Sequence, residues 1–247
     1  MEALKEKFDK VGYITLKGFL NDLEIKEITE NIERFLTESI NMMPQEYVFY
    51  ENKADSSTLK QLQHLDQYHP FFDQLFHHPK FVGLAEKLLG SPVIPKNMQW
   101  FNKPPKIGVA TPAHQDGFYF MLEPNQALTM WLALDKVDEE NGCVRYIPGS
   151  HKKKMRPHGE SNVLGFSQGI ADYNQMDQSH EIPMLLEPGD LMVHHSLTIH
   201  RADKNTSGRT RRGLGLIYYS SLAKENLQEH KKYQEKLKAS LLQKNRI

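Results

Sequence analysis

Apolar positions recur at helical spacing near the front of the chain and in shorter, strand-like alternation after it. Ile25, Ile28, Ile32, Phe35 and Leu36 form one stripe behind a cap at Asn21 or Asp22, which predicts a helix. A second helix opens at Pro79, carries Phe81, Val82, Leu84, Leu88 and Leu89, and stops at Gly90. From Val93 onward the apolar runs are short and broken by Pro, Gly and Asn. The clearest strand is 127–134. Leu128, Met130, Leu132 and Leu134 point one way, and Ala127, Thr129, Trp131 and Ala133 the other. Both faces are mostly apolar, which puts this strand inside a two-layer structure. Further strands are predicted at 12–16, 98–101, 143–147, 191–195 and 212–219. Turn signals at Asn141-Gly142, Pro148-Gly149-Ser150 and Pro188-Gly189-Asp190 separate the later ones.

Short strands without intervening helices predict a mainly β (α+β) fold, a β-sandwich or jelly roll with helices at both ends. One domain is expected over 1–247: a helical part at about 20–90, a β core at about 93–220 and a C-terminal helix at about 223–243. Leu227, Tyr233, Leu237 and Leu241 would form the stripe of that last helix. Segment 151–184 shows no strand pattern but holds Gly159, Gly165 and Gly169 with Phe166 and Tyr173 between them, and is expected to be a lid or binding loop.

Charge narrows the function classes. Lys+Arg and Asp+Glu number 31 each, so the formal net charge is zero, which argues against a nucleic-acid binder. No apolar run approaches the roughly 18 residues of a membrane span. The first residues form no apolar leader, and Asn245-Arg246-Ile247 is no peroxisomal tripeptide, so a cytoplasmic location is expected. A single cysteine, Cys143, allows neither an internal disulfide nor a thiolate metal cluster.

Metal chemistry is the remaining signal. Two His-X-Asp triplets occur, His64-Leu65-Asp66 and His114-Gln115-Asp116. On an extended strand, residues i and i+2 share a face and can grip one ion, whereas on a helix they diverge. The first triplet lies in 59–68, which reads as helix or irregular chain with no strand following, and is expected to be a surface pair. The second stands in the strand-rich half, before Phe118-Tyr119-Phe120. Two imidazoles and one carboxylate make the facial triad of non-haem iron oxygenases, so a distant histidine is needed. His151, His158, His180, His194, His195, His200 and His230 are available downstream. His200 closes 191–200, and Arg211 follows at the head of a strand. Gly213 and Gly215 share the face of Arg211 and leave room beside its guanidinium, as a dicarboxylate pocket needs.

His114-Gln115-Asp116, Trp131-Leu132-Ala133-Leu134, Glu139-Glu140-Asn141-Gly142-Cys143, Ile147-Pro148-Gly149-Ser150-His151, Pro188-Gly189-Asp190, and His200 with Arg211, in this order, resemble the phytanoyl-CoA dioxygenase family over about residues 11–219. The resemblance implies a double-stranded β-helix and an Fe(II)- and 2-oxoglutarate-dependent oxygenase. It implies His114, Asp116 and His200 as iron ligands and Arg211 as partner of the distal carboxylate of 2-oxoglutarate. Trp131, Lys60 and Gln99 fall at or near further cosubstrate positions. The family often has a serine where Ala202 stands; Thr129 or Tyr218 could replace its hydroxyl, or Arg211 could suffice. O₂ is the third reactant, and oxidative decarboxylation to succinate and CO₂ would drive hydroxylation of an unactivated C–H bond. The carboxylate of Asp116 excludes the halide site of related halogenases. A small-molecule substrate is expected, with no nucleic-acid or membrane partner. Lys152, Lys153, Lys154 and Arg156 either face solvent or meet an anionic substrate, and His195 is a candidate for contact around the metal or substrate. A non-catalytic metal-binding jelly roll and a peptide hydroxylase are the competing readings.

Overall fold

The structure, a computed structural model, describes residues 2–243. The side chain of Leu241 and the residues Asn245, Arg246 and Ile247 lie outside the described set. In chain order the front half contains α1 (Glu2–Val11), β1 (Tyr13–Leu16), α2 (Asp22–Glu38), β2 (Val48–Tyr50), β3 (Leu59–Leu62), α3 (Pro70–Phe76) and α4 (Pro79–Leu89). The β core follows as β4 (Val93–Lys103), β5 (Thr111–His114), α5 (Gly117–Phe120), β6 (Leu122–Glu123), β7 (Ala127–Ala133) and β8 (Val144–Tyr146). Then come β9 (His158–Val163), β10 (Phe166–Ile170), α6 (Gln175–Ser179), β11 (Ile182–Pro183), β12 (Leu191–His195), β13 (His200–Ala202) and β14 (Arg211–Ser220). The chain closes with β15 (Lys224–Glu225) and α7 (Leu227–Gln243).

Two antiparallel sheets make the jelly roll. The larger runs β1-β12-β7-β14-β4-β3-β2, and the smaller runs β11-β8-β13-β5. The period-2 reading of β7 holds on both faces. Leu128, Met130 and Leu132 join Leu191, Val193, Leu214 and Leu216 beneath the N-terminal helices, while Trp131 and Ala133 join Val144, Tyr146, Met192 and Ala202 between the sheets. Asn21 caps α2 through a capping box with Glu24, and Ile25, Ile28, Ile32 and Phe35 are buried against the large sheet. Gly90, in the left-handed region at φ 69°, ends α4.

Three expectations change. Segment 151–184 is not strandless, because β9 and β10 form a hairpin joined at Leu164-Gly165. Its sequence lacks alternation because most of the hairpin is only half-buried, so no apolar face repeats. Residues 59–68 hold strand β3 and a single 3₁₀ turn rather than a helix. The His64-Leu65-Asp66 triplet is not a surface pair either. Both polar residues are half-buried, and Asp66 accepts the Met98 amide at 2.8 Å, tying that turn to β4.

Candidate active site

The jelly roll brings the ends of β5, β7, β12, β13 and β14 around one cavity of about 880 Å³. His114 ends β5, and His200 opens β13 directly opposite it in the antiparallel register. Their rings lie 4.1 Å apart between centroids. Asp116 has left the strand. Its φ of −55° and ψ of −34° start α5, so the triplet works by a strand end followed by a turn, not by one continuous strand. Gln115, fully buried, locks that turn: its Nε2 donates to the Leu197 carbonyl and its Oε1 accepts from the Arg156 amide. Ligand atoms of His114, Asp116 and His200 all fall within 4.8 Å of one another.

The donor set fits a metal ion. Nδ1 of His114 is 2.8 Å from the Pro112 carbonyl and Nδ1 of His200 is 3.0 Å from the Thr198 carbonyl. A carbonyl only accepts, so Nδ1 of each ring carries the proton and Nε2 is left with a free lone pair. Those Nε2 atoms sit 3.4 and 3.6 Å from Asp116 Oδ1. Its other oxygen, Oδ2, accepts from Thr129 Oγ1 at 2.6 Å and from His194 Nε2 at 2.9 Å. Burial alone would raise the Asp116 carboxyl; the imidazoles of His200, His114 and His194 outweigh it and hold the group well below the usual carboxylate range. Burial likewise pushes His200 well below its ordinary value, toward the neutral ring that a metal needs.

His194, not His195, is the histidine that supports this centre. On β12, Met192 and His194 face the cavity, and Nδ1 of His194 meets the Tyr146 hydroxyl at 2.7 Å. His195 points the other way, toward Phe8 of α1 and His151. Leu191 and Val193 lie in the core under the helices, so the odd positions of this strand face away from the cavity. Among the other histidines weighed as ligands, His158 stacks on Phe118, His180 is exposed just after α6, and His230 lines the cavity on α7.

Arg211 is 5% exposed, and among the described residues its guanidinium has no hydrogen-bond or acidic partner; Nε is buried and unsatisfied. Burial lowers its pKa to about 10, which still leaves it cationic at neutral pH. The indole of Trp131 lies beneath it, 5.1 Å from guanidinium carbon to ring centroid. The glycines beside Arg211 make room for rings rather than for the guanidinium itself. A Cβ at Gly213 would collide with the Trp131 indole, and one at Gly215 would stand 2.7 Å from the Phe101 ring. Arg209 is bonded to Asp138 and Glu140, and Arg212 to Asp135, so Arg211 is the member of the trio turned inward.

Lys60 and Gln99 line the same cavity, Lys60 paired with Glu51 at 3.0 Å and Gln99 accepting from Gln61 at 2.8 Å. Sequence reasoning missed Lys103, buried beside Arg211 in the β4–β14 register and bonded to the Val109 and Asp203 carbonyls. Burial, with Arg211 and Lys60 nearby, drives its amine well below the usual lysine range. Neither substitute for the family serine serves at Ala202. Thr129 is taken by Asp116, and Tyr218 donates to the Phe76 carbonyl on the helical side of the sheet. Lys152, Lys153 and Lys154 are outside the cavity, and Arg156 is tied to Asp172 and Asp177.

An iron-type triad and a buried, unpartnered arginine inside a jelly roll define an Fe(II)/2-oxoglutarate-dependent oxygenase. Residues 8–213 match the phytanoyl-CoA dioxygenase (PhyH) family, and the chain belongs to it. It is 26% identical to the peroxisomal phytanoyl-CoA dioxygenase of Rattus norvegicus over 231 residues, covering 87% of this chain and 67% of that protein. It is 28% identical to the probable α-ketoglutarate-dependent hypophosphite dioxygenase of Stutzerimonas stutzeri over 226 residues, covering 89% and 78%. Among solved structures, the epimerase SnoN in complex with Fe3+, α-ketoglutarate and nogalamycin RO superposes with a TM-score of 0.75 at 26% identity, covering 91% of this chain and 85% of that one. Iron, 2-oxoglutarate and O₂ are the cofactors of this class. No described helix is long and apolar enough to cross a membrane.

Proposed function

We propose that this chain hydroxylates an unactivated C–H bond of a small molecule, with Fe(II) held by Nε2 of His114, Oδ1 of Asp116 and Nε2 of His200. The observation that carries the reading is their convergence on the cavity in which the guanidinium of Arg211 is buried with no hydrogen-bond partner among the described residues. Arg211 takes the distal carboxylate of 2-oxoglutarate, and Trp131, Lys60 and Gln99 complete the surroundings of the cosubstrate. When bound, the iron supplies O₂ reduction coupled to decarboxylation of 2-oxoglutarate to succinate and CO₂. The protein supplies placement. Thr129 and His194 hold Oδ2 of Asp116, so the carboxylate presents one oxygen to the metal. The test is succinate formation from Fe(II), 2-oxoglutarate and O₂, which should proceed slowly without substrate, vanish in Asp116→Ala and fall strongly in Arg211→Ala. Wild-type rates in both variants would defeat the assignment. Tight metal binding with no succinate under any condition would instead favour a carrier or sensor.

A further inference from the structure

The oxygenase reading leaves the substrate open, and the charges inside the cavity narrow it. Lys60, Lys96, Lys103, Arg201 and Arg211 are the cations lining it that are not exposed. The protein occupies four of them itself. Lys60 pairs with Glu51 at 3.0 Å, and Lys96 pairs with Glu225 at 2.9 Å. Arg201 is forked onto Glu181 and also reaches Asp203, while Lys103 ends on two backbone carbonyls. The second oxygen of Glu51 accepts the Val109 amide at 3.0 Å, so the Lys60–Glu51 pair is anchored on both sides. That leaves Arg211, which the oxygenase reading assigns to 2-oxoglutarate. Away from the exposed Lys236 on α7, an anion entering the remaining space would lose its water without gaining a counter-charge, or would strand a half-buried carboxylate by taking its lysine.

What remains of the lining is mostly aromatic rings and carboxamides. Phe118, Tyr119, Phe120, Phe166, Tyr219 and Tyr233 contribute rings to the lining. Two of their hydroxyls are used internally: Tyr119 donates to the Gln168 carbonyl at 2.8 Å, and Tyr233 meets Ser167 at 2.5 Å. These rings therefore offer apolar surface. β3 and its neighbours offer the carboxamides of Gln61, Gln63 and Asn97. Gln61 is 2% exposed, gives its Nε2 to Gln99, and is left with a buried Oε1 that has no partner among the described residues. That oxygen lies against Gly165 at the tip of the β9–β10 hairpin rather than open to the cavity. A volume of about 880 Å³ lies within the range of roughly 300–1,000 Å³ that holds a drug-sized ligand.

We infer that the part of the substrate entering this cavity carries no anionic group and presents a ring-shaped apolar body to the aromatic side chains. This rests on the oxygenase reading and departs from the phosphorus oxyanion in the name of the Stutzerimonas relative. Size-matched probes test it on the full chain with Mn(II) and saturating 2-oxoglutarate: 2-naphthalenemethanol, 2-methylnaphthalene, 2-naphthoate and hypophosphite, each titrated by ligand-observed NMR. The alcohol should bind about tenfold or more tighter than naphthoate or hypophosphite. 2-Methylnaphthalene, equally uncharged, should share that advantage over the two anions. Naphthoate or hypophosphite binding as tightly as the alcohol, or no binding of the alcohol, overturns the inference. Naphthoate that binds only until 2-oxoglutarate is added marks Arg211 and supports it. Failure of 2-oxoglutarate itself to bind strikes the oxygenase reading, a result distinct from a lost preference for the neutral probe.

Discussion

Asp116 divides its work between two oxygens, one toward His114 and His200 and one held by Thr129 and His194. Removing an outer partner of a metal ligand typically costs about 10–100-fold in metal affinity. His194→Ala should therefore weaken Mn(II) binding by about that factor in calorimetry, and His194→Gln, which keeps a donor, should recover part of the loss. Arg211→Ala should raise the KM for 2-oxoglutarate by about a hundredfold, the equivalent of about 3 kcal/mol for a lost buried charge pair, with a smaller change in substrate affinity. The triad and Arg211 were legible because their chemistry demands particular residue types at spacings that few other segments offer. His194 was not, because two adjacent histidines leave the phase of β12 to decide, and that phase depends on Leu191 and Val193 packing under helices. The fate of Thr129 was hidden for a similar reason. Its hydroxyl was free to serve a carboxylate, and only the fold shows that the carboxylate is Asp116 rather than the cosubstrate.

Elements with a regular apolar pattern announced themselves, α2 and α4 by one buried stripe and β7 and β14 by strands buried on both faces. The hairpin β9–β10 did not, since its two strands pair mainly with each other and its side chains divide between cavity and solvent. Helix α1 was equally silent, with Phe8 as its one buried residue. Turn chemistry carried more than position. Asp190, from the Pro188-Gly189-Asp190 turn, is buried and accepts from Lys17 Nζ at 2.7 Å, the Gly18 amide at 2.8 Å and the Glu187 amide at 2.8 Å. It thus ties the segment after β1 to the start of β12. Asp190→Ala would leave two backbone donors without their acceptor, and should destabilise the fold by about 2–3 kcal/mol in urea unfolding, without altering metal affinity per folded molecule.

Stability of the whole molecule should fall in mild acid. Burial lowers His195 to about 4, and lowers His64, His151 and His158 as well. Between about 6.5 and about 4 the unfolded chain accepts a proton that the native His195 ring refuses, so stability is full above about pH 6.5 and declines as pH drops through this window. The shift allows up to about 3 kcal/mol from this residue. His195→Gln should flatten the pH dependence of urea unfolding, and an unchanged slope would count against a buried neutral ring. Loading should act in the opposite sense. Mn(II) at about 100 times its dissociation constant adds about 2.7 kcal/mol, visible as several degrees in Tm, and Asp116→Ala should abolish the gain. The family match stops at residue 213, whereas Ile217, Tyr219, Tyr233 and Leu237 of the cavity lining come after it. Part of the molecular taste is thus written on the closing helix α7, apart from the triad that carries the oxidising power, and exchanging that helix between relatives becomes a route to redirecting the reaction while its engine stays untouched.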